Sequence, residues 1–289
     1  MTEKKNSVTK RSFVLLIACI FCSSLLFTAC ADKSTEKAAG AAKTDASPEE
    51  VTQADIEEKI IGNWMVTDRE GQPALTNEKG VFTFVSPTKG YVSASFNSNQ
   101  DKSTYWGTKQ EMEVSINGNV VTLTSHINDR TTIIDELTIS SITDNETQGT
   151  FIAKAINDGE EAVITEESIR LVKVNKDLSE DIIGTWEGRC TSEGSVFDDG
   201  QEHRWEYKSD GTYVYYEKDG DNWVPGDDTT NEYFVAGNLL CTRWIENGEE
   251  YREWWEITID GDKMNWTALR EGEDGKTFTA SFEMKKVEV

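Results

Sequence analysis

A ten-residue segment occurs twice in this chain, and this repeat constrains the fold more than any other feature. The first copy runs Asp55-Ile-Glu-Glu-Lys-Ile-Ile-Gly-Asn-Trp64, and the second runs Asp177-Leu-Ser-Glu-Asp-Ile-Ile-Gly-Thr-Trp186. Asp, Glu, Ile, Ile, Gly and Trp recur at the same positions of both copies. The copies are separated by about the length of one small domain. The repeat therefore predicts two tandem copies of a single domain, with boundaries at 55–174 and 177–289.

Short runs of β-forming residues, divided by turn signals, follow each copy. Asn117-Gly118 is a strong hairpin signal, and Gly237-Asn238 matches it in the second repeat. The predicted strands are 63–67, 81–85, 91–96, 105–116, 120–127, 131–142, 147–156 and 162–174, then 185–190, 203–207, 212–218, 231–236, 239–246, 250–259, 263–270 and 276–287. Eight strands in meander order without a long helix predict an all-β fold of two tandem, roughly eight-stranded antiparallel up-and-down barrels.

Each repeat opens with a helical turn that Asp55 or Asp177 is placed to cap, followed by Gly-x-Trp at the head of the first strand. This pattern resembles the lipocalin-like (calycin-type) β-barrels over about 56–174 and 178–289. In that family the Trp closes the barrel floor, and an Arg from the last strand packs across it. The resemblance implies that Arg170 covers Trp64. Glu283 stands at the corresponding place in the second repeat, so we expect its floor to close differently.

The N-terminus carries the features of an export signal. The basic pairs Lys4-Lys5 and Lys10-Arg11 precede an uncharged apolar run at 12–26. The segment Leu26-Phe-Thr-Ala-Cys30 follows and resembles the bacterial lipobox, in which the Cys is diacylated and becomes the first residue. We therefore predict a lipoprotein signal peptide at 1–29. An uncleaved membrane anchor is the alternative, because the apolar run is borderline long enough to span a bilayer.

Lipidation at Cys30 implies an extracytoplasmic protein held by acyl chains such as palmitate on the cell membrane or the outer membrane. Several acyl chains anchor a protein stably, whereas one does not. Residues 30–54 are rich in Ala, Lys, Ser, Thr and Glu and show no apolar period. This composition predicts a disordered tether between the anchor and the first barrel.

The formal net charge of −24 limits the partners of this chain. Nucleic-acid binding needs clustered Lys and Arg, so we expect no nucleic-acid partner. Beyond the signal peptide and Cys30, only Cys190 and Cys241 remain. A disulfide and two buried thiols are both open, because export favours pairing while the two predicted strands lie far apart in a barrel.

Aromatic residues are concentrated in the second repeat, which holds seven of the nine tryptophans. Strand alternation predicts an inward face on the last three strands, made by Tyr251, Glu253, Trp255, Ile257, Ile259, Met264, Trp266, Ala268, Phe278, Ala280, Phe282 and Met284. Glu253 is then a single acidic group on an apolar wall. We predict a site for a small apolar or aromatic ligand, with Trp205, Tyr213, Tyr215, Trp255 and Trp266 as binding residues.

Two other interpretations of these aromatics remain open. They can simply fill the core of a narrow barrel. Trp244 and Trp254 are expected to face outward, where they could contact a protein or a surface glycan. The first repeat has walls of Ile, Val, Thr and Ser, so we expect a packed core there, with the adjacent Tyr105 and Trp106 serving core or rim packing.

Catalysis has little support in the sequence. His126 and His203 are the only histidines, and neither belongs to a metal-spacing motif. No nucleophile motif or phosphate loop is present, so we expect no catalytic residue, cofactor or metal, and no enzyme. The leading hypothesis is a membrane-anchored lipoprotein that binds a small ligand without catalysis. The alternative is an interaction or scaffolding lipoprotein with filled barrels, whose protein or glycan partner the sequence does not identify.

Overall fold

The protein is described from a computed structural model, which covers residues 51–97, 104–192, 197–226, 229–272 and 274–288. The predicted signal peptide at 1–29, Cys30 and residues 31–50 of the tether lie outside the described residues. The described chain forms two antiparallel sheets in tandem, which confirms the predicted all-β fold of two barrels. Within these ranges, no helix has both the length and the apolar character needed to cross a membrane.

The first barrel closes completely. Its strand order is β2-β1-β3-β4-β5-β6-β7-β8-β9, and pairing of β1 with β9 joins the ends. The elements are the helix α1 (Gln53–Lys59), β1 (Gly62–Arg69), β2 (Gln72–Pro73), a 3-10 helix (Thr76–Glu78), β3 (Val81–Ser86), β4 (Lys89–Asn97), β5 (Thr104–Asn117), β6 (Val120–His126), β7 (Thr131–Ile142), β8 (Glu146–Asn157) and β9 (Glu160–Val174). The eight predicted strands are all present, and the two-residue β2 is an addition.

The second sheet curls so that its edges meet. Its order is β13-β12-β11-β10-β18-β17-β16-β15-β14. The strands are β10 (Gly184–Cys190), β11 (His203–Tyr207), β12 (Tyr213–Asp219), β13 (Asn222–Pro225), β14 (Thr229–Ala236), β15 (Leu239–Glu246), β16 (Glu249–Asp260), β17 (Lys263–Glu271) and β18 (Thr277–Val287). A single bridge, Thr212 to Glu232, links the sheet edges near the floor.

One predicted loop of this barrel is a strand. The sequence predicted no strand between 218 and 231, but β13 lies within this segment and pairs with the upper half of β12. Gly220, with φ of +61°, provides the left-handed residue that the tight turn requires. The polar composition of the segment concealed the strand, because this hairpin is exposed and has no apolar face.

The floors of both barrels are built in the same way. Trp64 and Trp186 are fully buried. Their indole Nε1 atoms donate to the carbonyl oxygens of Ile60 at 2.5 Å and Ile182 at 2.7 Å. A buried indole N–H needs such a partner. The helical turn before each strand therefore supplies the acceptor that fixes the Trp.

The residue that covers each Trp is a lysine, so the expected role of Arg170 is wrong. Lys173 is paired with Trp64 across the β1–β9 ladder, and Lys286 is paired with Trp186 across β10–β18. Arg170 instead forms ion pairs with Asp68 and Glu146 on the barrel surface.

The expected departure of the second floor at Glu283 is also wrong. Glu283 is exposed and paired with Arg189, whereas the two lysines occupy equivalent places. Both floors therefore close with a Trp under a Lys.

The entry turns differ between the repeats. In the first, Thr52 is the N-cap of α1 and forms a capping box with Asp55, which lies three residues into the helix rather than at its cap. The helix thus begins at Gln53, two residues before the predicted domain start. In the second, Asp177 accepts a hydrogen bond from the backbone of Ser179, and the turn is not extended into a helix.

The two barrels pack against each other through a third apolar cluster. It combines Met65 and Val81 of the first barrel with Phe234, Ala236, Leu239 and Cys241 of the second, and Trp106, Val174 and Trp254 pack around it. Cys241 is buried in this contact, Cys190 is only partly buried at the end of β10, and the two cysteines do not form a disulfide. Trp106 thus serves interdomain packing, while the side chain of Tyr105 lies outside the described residues.

Candidate functional site

The predicted inward face of the second barrel is the face that the structure buries. Met264, Trp266 and Ala268 on β17 alternate with exposed residues, and Ala280, Phe282 and Met284 do so on β18. Of the five predicted ligand-binding residues, Tyr213, Trp255 and Trp266 are buried in this interior cluster, and Trp205 and Tyr215 pack against it.

The middle of this barrel is filled by aromatic rings. The Trp266 ring centre lies 4.9 Å from that of Trp205, 5.4 Å from that of Trp255 and 5.7 Å from that of Phe282. Such separations are typical of rings in direct contact. Side chains therefore occupy the level at which the sequence placed a ligand, and space for a ligand has to lie closer to the mouth.

An arginine that the sequence reasoning missed lies above these rings. The Cζ atom of Arg270 is 4.5 Å from the centre of the Trp255 ring and 4.8 Å from that of Phe197. Its Nη2 donates to the carbonyl oxygen of Trp254 at 3.3 Å, while its Nε is buried without a hydrogen-bond partner. Burial lowers the pKa of Arg270, and the charge of Glu253 opposes that shift. The guanidinium is thus held between two aromatic faces.

Glu253 shares this interior with Arg270 but does not pair with it. Its Oε2 accepts a hydrogen bond from the Trp255 Nε1 at 3.1 Å. Arg270 and Glu253 influence each other electrostatically, yet no nitrogen–oxygen distance between them falls within 4.0 Å. Opposite charges that are close but not in contact leave room for a polar group between them.

Two further donors inside the barrel have no partner among the described residues. The hydroxyl of Tyr207 and the Nε1 of Trp266 are both fully buried. Burial raises the pKa of Tyr207, and the neighbouring Tyr213, Tyr233 and Glu253 raise it further. Leaving a buried donor unpaired typically costs about 1–3 kcal/mol.

The mouth of the barrel is lined by stacked rings. His203 stacks on Trp205 with ring centres 5.4 Å apart; its Nδ1 is 3.0 Å from the Tyr215 hydroxyl, and its Nε2 is 3.2 Å from Asp199. Phe197 reaches in from the segment between β10 and β11 and contacts the Trp255 ring at 5.5 Å. The sequence predicted no strand between 190 and 203.

The expected outward placement is wrong for Trp244 and right for Trp254. Trp244 stacks on Tyr251 at 5.7 Å, and the two are paired across β15–β16, so both lie on the face that carries Trp255. Trp254 does lie on the outer face, but it packs against the first barrel and donates its Nε1 to the carbonyl oxygen of Ser95 at 3.0 Å. Neither ring is a free outer contact.

The first barrel packs against the outer face of β16 and β17, the strands that carry Trp255 and Arg270 on their inner face. The pairing of β16 with β17 runs only as far as Glu256 and Thr267. Beyond this point the Leu269 backbone N–H donates to the Thr76 hydroxyl at 2.9 Å, and the Nζ of Lys79 lies 2.7 Å from Glu256. Residues that dock on the first barrel thus alternate with residues that face the interior.

A cleft lies beside the mouth. It has a volume of about 470 Å³ and is lined by Arg189, Cys190, Thr191, Asp198 and Gly200. Its residues follow the end of β10 and flank Phe197 in sequence.

Comparison with known proteins gives no family for this chain. No family model and no curated protein matches it. Among solved structures, a protein of unknown function from the DUF3598 family of Nostoc punctiforme is 9% identical over 82% of this chain and 100% of that chain, with a TM-score of 0.24. Transferrin binding protein B from Haemophilus parasuis is 10% identical, with a TM-score of 0.22.

Intact Ap-TbpB, with its N and C lobes, is 13% identical, with a TM-score of 0.19. The transferrin binding protein from Haemophilus parasuis is matched over 73% of this chain, and Ap-TbpB over 72%. In both cases the chain spans about half of the other protein, 54%. At these TM-scores the likenesses carry no argument about function.

Proposed function

We propose that the second barrel binds a small ring-bearing molecule in the upper part of its interior, beside Trp255, Arg270 and Glu253, in the place that the Phe197 ring occupies. The observation that carries this proposal is the pair Arg270 and Glu253, a buried guanidinium and a partly buried carboxylate that do not contact each other. A ligand with a ring and a polar group would stack on the indole and place its polar group between the charges.

The energetics of burial support a binding role for these charges. A charge removed from water is costly unless a partner compensates it, and apolar residues of similar size usually stabilise a core at least as well. Arg270 keeps a buried Nε without a partner, and Trp266 and Tyr207 add two unpaired donors. A fold that needed only a filled core would gain stability by replacing these groups. Their presence favours a ligand that satisfies some of them.

The level of the site follows from the packing. The rings of Trp205, Trp255, Trp266 and Phe282 fill the middle of the barrel, so a deep ligand would have to displace several of them. The Phe197 ring packs directly against the guanidinium of Arg270. Aromatic faces offer stacking and cation–π contacts, each worth about 0.5–2 kcal/mol. We therefore propose a shallow site with apolar walls, whose inner end carries the charges of Arg270 and Glu253.

In this proposal the protein acts outside the cytoplasmic membrane, tethered by acyl chains on Cys30, and does not catalyse a reaction. The tether would hold both barrels near the bilayer while the ligand enters from the solvent. The anchor is tested by growth with an alkyne-labelled palmitate. The wild-type protein should incorporate the label and a Cys30→Ala variant should not. Labelling that persists in the variant would reject Cys30 as the lipidated residue.

Binding is tested with 8-anilino-1-naphthalenesulfonate, a fluorescent probe that combines rings with an anionic group. We expect the full mature chain to bind it, and Arg270→Gln to weaken binding at least tenfold, the equivalent of about 1.4 kcal/mol. Arg130→Gln, which removes an exposed arginine of the first barrel, is the matched control and should bind like the wild type.

Two outcomes would overturn the ligand-binding proposal. One is equal probe affinity in the Arg270 and Arg130 variants, because the probe would then bind elsewhere. The other is a clean apo mass in native mass spectrometry of protein gently extracted from its own cells, together with no probe binding. Those results would favour the scaffolding alternative, with barrels that are filled throughout.

A further inference from the structure

The first barrel has the expected packed core in its lower half and, in addition, a polar upper interior. Its lower half is apolar, and Trp64, Val114 and Leu171 are buried there. Nearer the mouth, five strands each bring one polar side chain to the inner face or its rim: Arg69 from β1, Gln110 from β5, Ser125 from β6, Asp135 from β7 and Glu167 from β9. Convergent polar groups above an apolar floor are the usual composition of a ligand site.

Asp135 stands out within this group. It lies on the same face of β7 as the buried Leu137 and Ile139, so it points inward, and its Cα partners are Leu123 and Ala153. No hydrogen bond or ion pair joins its carboxylate to any of the residues that the structure describes. Protein surrounds it on nearly all sides, yet part of it remains accessible, as expected of a group that lines a concave interior. Burial raises the pKa of Asp135 to about 7.

The neighbouring polar groups pair with one another, although the Nε of Arg69 is buried without a hydrogen-bond partner. Arg69 donates from Nη1 to Glu167 and from Nη2 to the carbonyl oxygen of Glu78 at 2.9 Å. Gln110 donates to the hydroxyl of Ser125 at 3.5 Å. The charge of Arg69 is thus already balanced by Glu167. The charge of Asp135 is left without a counter-ion in the described barrel.

We propose that the upper interior of the first barrel is a second binding site, which takes a small molecule with a protonated amine and an apolar body, with Asp135 as the counter-ion. The ammonium group would supply the missing positive charge, and the apolar body would lie on Leu123, Leu137 and Phe151 below it. A neutral or anionic ligand would leave the carboxylate uncompensated. A metal ion would need further oxygen ligands, and the described residues hold no group of three side chains that could bind one.

The site is tested with benzylamine and with benzyl alcohol, which has a similar shape but no charge. At about pH 8 the amine is protonated and the Asp135 carboxylate is ionised. Calorimetric titration of the full mature chain should show benzylamine binding at least tenfold more tightly than benzyl alcohol. Asp135→Asn should abolish that preference. Asp144→Asn, at an exposed acid near the floor, is the matched control and should retain it.

A second measurement separates binding from a structural role. Because Asp135 has no partner, Asp135→Asn should leave the unfolding temperature unchanged or raise it while it removes benzylamine binding. A fall in stability with binding intact would overturn the proposal, as would equal affinity for amine and alcohol in the wild type. Arg270→Gln tests the other barrel alone and should not change benzylamine affinity, so the two proposed sites can fail independently.

Discussion

The ammonium nitrogen of Lys173 lies 5.1 Å from the centre of the Trp64 ring, and the second barrel repeats this contact between Lys286 and Trp186 at the same distance. Lys173 also donates to the carbonyl oxygen of Lys59 at 3.3 Å, at the end of α1. The lysine thus ties the last strand to the entry helix over the face of the Trp. The glycine of each Gly-x-Trp has no Cβ atom and so leaves space for the lysine side chain.

Replacing Gly62 with alanine should destabilise the first barrel by roughly 2–4 kcal/mol. Gly62 has φ of +127°, which L residues rarely adopt, and an added Cβ would lie 2.7 Å from Cε of Lys173. Urea unfolding measures the loss. Gly118→Ala is the control, since Gly118 is also left-handed but nothing lies within 4 Å of its Cβ position. Equal losses in both variants would show that the lysine contact contributes nothing.

The sequence predicted the floor tryptophans but assigned the wrong residue to cover them. The duplicated motif located Trp64 and Trp186 because local spacing sets the turn and the first strand. The covering residue depends on the register between the first and last strands, which are more than a hundred residues apart. Alternation along β9 places Arg170 and Lys173 on opposite faces, and only the pairing shows that Lys173 is opposite Trp64.

The inner face of the second barrel could also be predicted from the sequence, because period-two alternation along a strand does not depend on distant contacts. The same alternation through Trp266 and Ala268 reaches Arg270, so the signal for that residue was present and was overlooked. Phe197 could not be placed in this way, since it enters from a polar loop. The docking of Trp254 on the first barrel likewise depends on interdomain packing that neither repeat encodes alone.

Stability should fall with rising pH between about pH 4 and pH 7 through Asp135. Its pKa is raised from 3.8 to about 7 in the folded state, so over this range the folded protein holds a proton that the unfolded chain releases. The contribution of protonated Asp135 to the free energy of unfolding is fully present below pH 4 and is lost as pH rises through 7. The difference in unfolding free energy between the wild type and Asp135→Asn should change by roughly 2–4 kcal/mol across this window. A pH-independent difference would contradict the assignment.

Phe197→Ala should raise the affinity of 8-anilino-1-naphthalenesulfonate several-fold, if the proposed site in the second barrel is correct. The Phe197 ring packs against Arg270 and Trp255, where the ring of a ligand would lie, so binding must displace it. Fluorescence titration gives the affinity. Phe151→Ala removes a similarly half-buried ring from the first barrel and should leave the affinity unchanged. Weaker binding in the Phe197 variant would instead make this ring part of the site.

Thr76→Val should weaken probe binding to the second barrel although Thr76 belongs to the first. The substitution leaves the Leu269 N–H without its acceptor at the point where β16 and β17 separate, next to Arg270. A buried unpaired donor costs about 1–3 kcal/mol. The strand should move to reduce that free-energy cost. This movement would displace Arg270 and lower the affinity for the probe. Thr88→Val, at an exposed site of the same barrel, is the control, and equal affinities in both variants would show that the domains are functionally separate.

Thiol labelling of the native protein should modify Cys190 well before Cys241. Cys190 is partly buried beside the mouth, with its sulfur 3.2 Å from the hydroxyl of Ser192, whereas Cys241 is fully buried between the barrels. Burial raises the pKa of the Cys241 thiol well above its usual value, and the thiolate is the reactive form. Peptide mass mapping after brief exposure to N-ethylmaleimide should therefore find the label at Cys190, with Cys241 labelled only in urea. Simultaneous labelling would mean that the interdomain cluster opens readily. Absence of labelling at both cysteines until a reductant is added would mean that they form a disulfide in the exported protein, whereas no disulfide joins them in the structure.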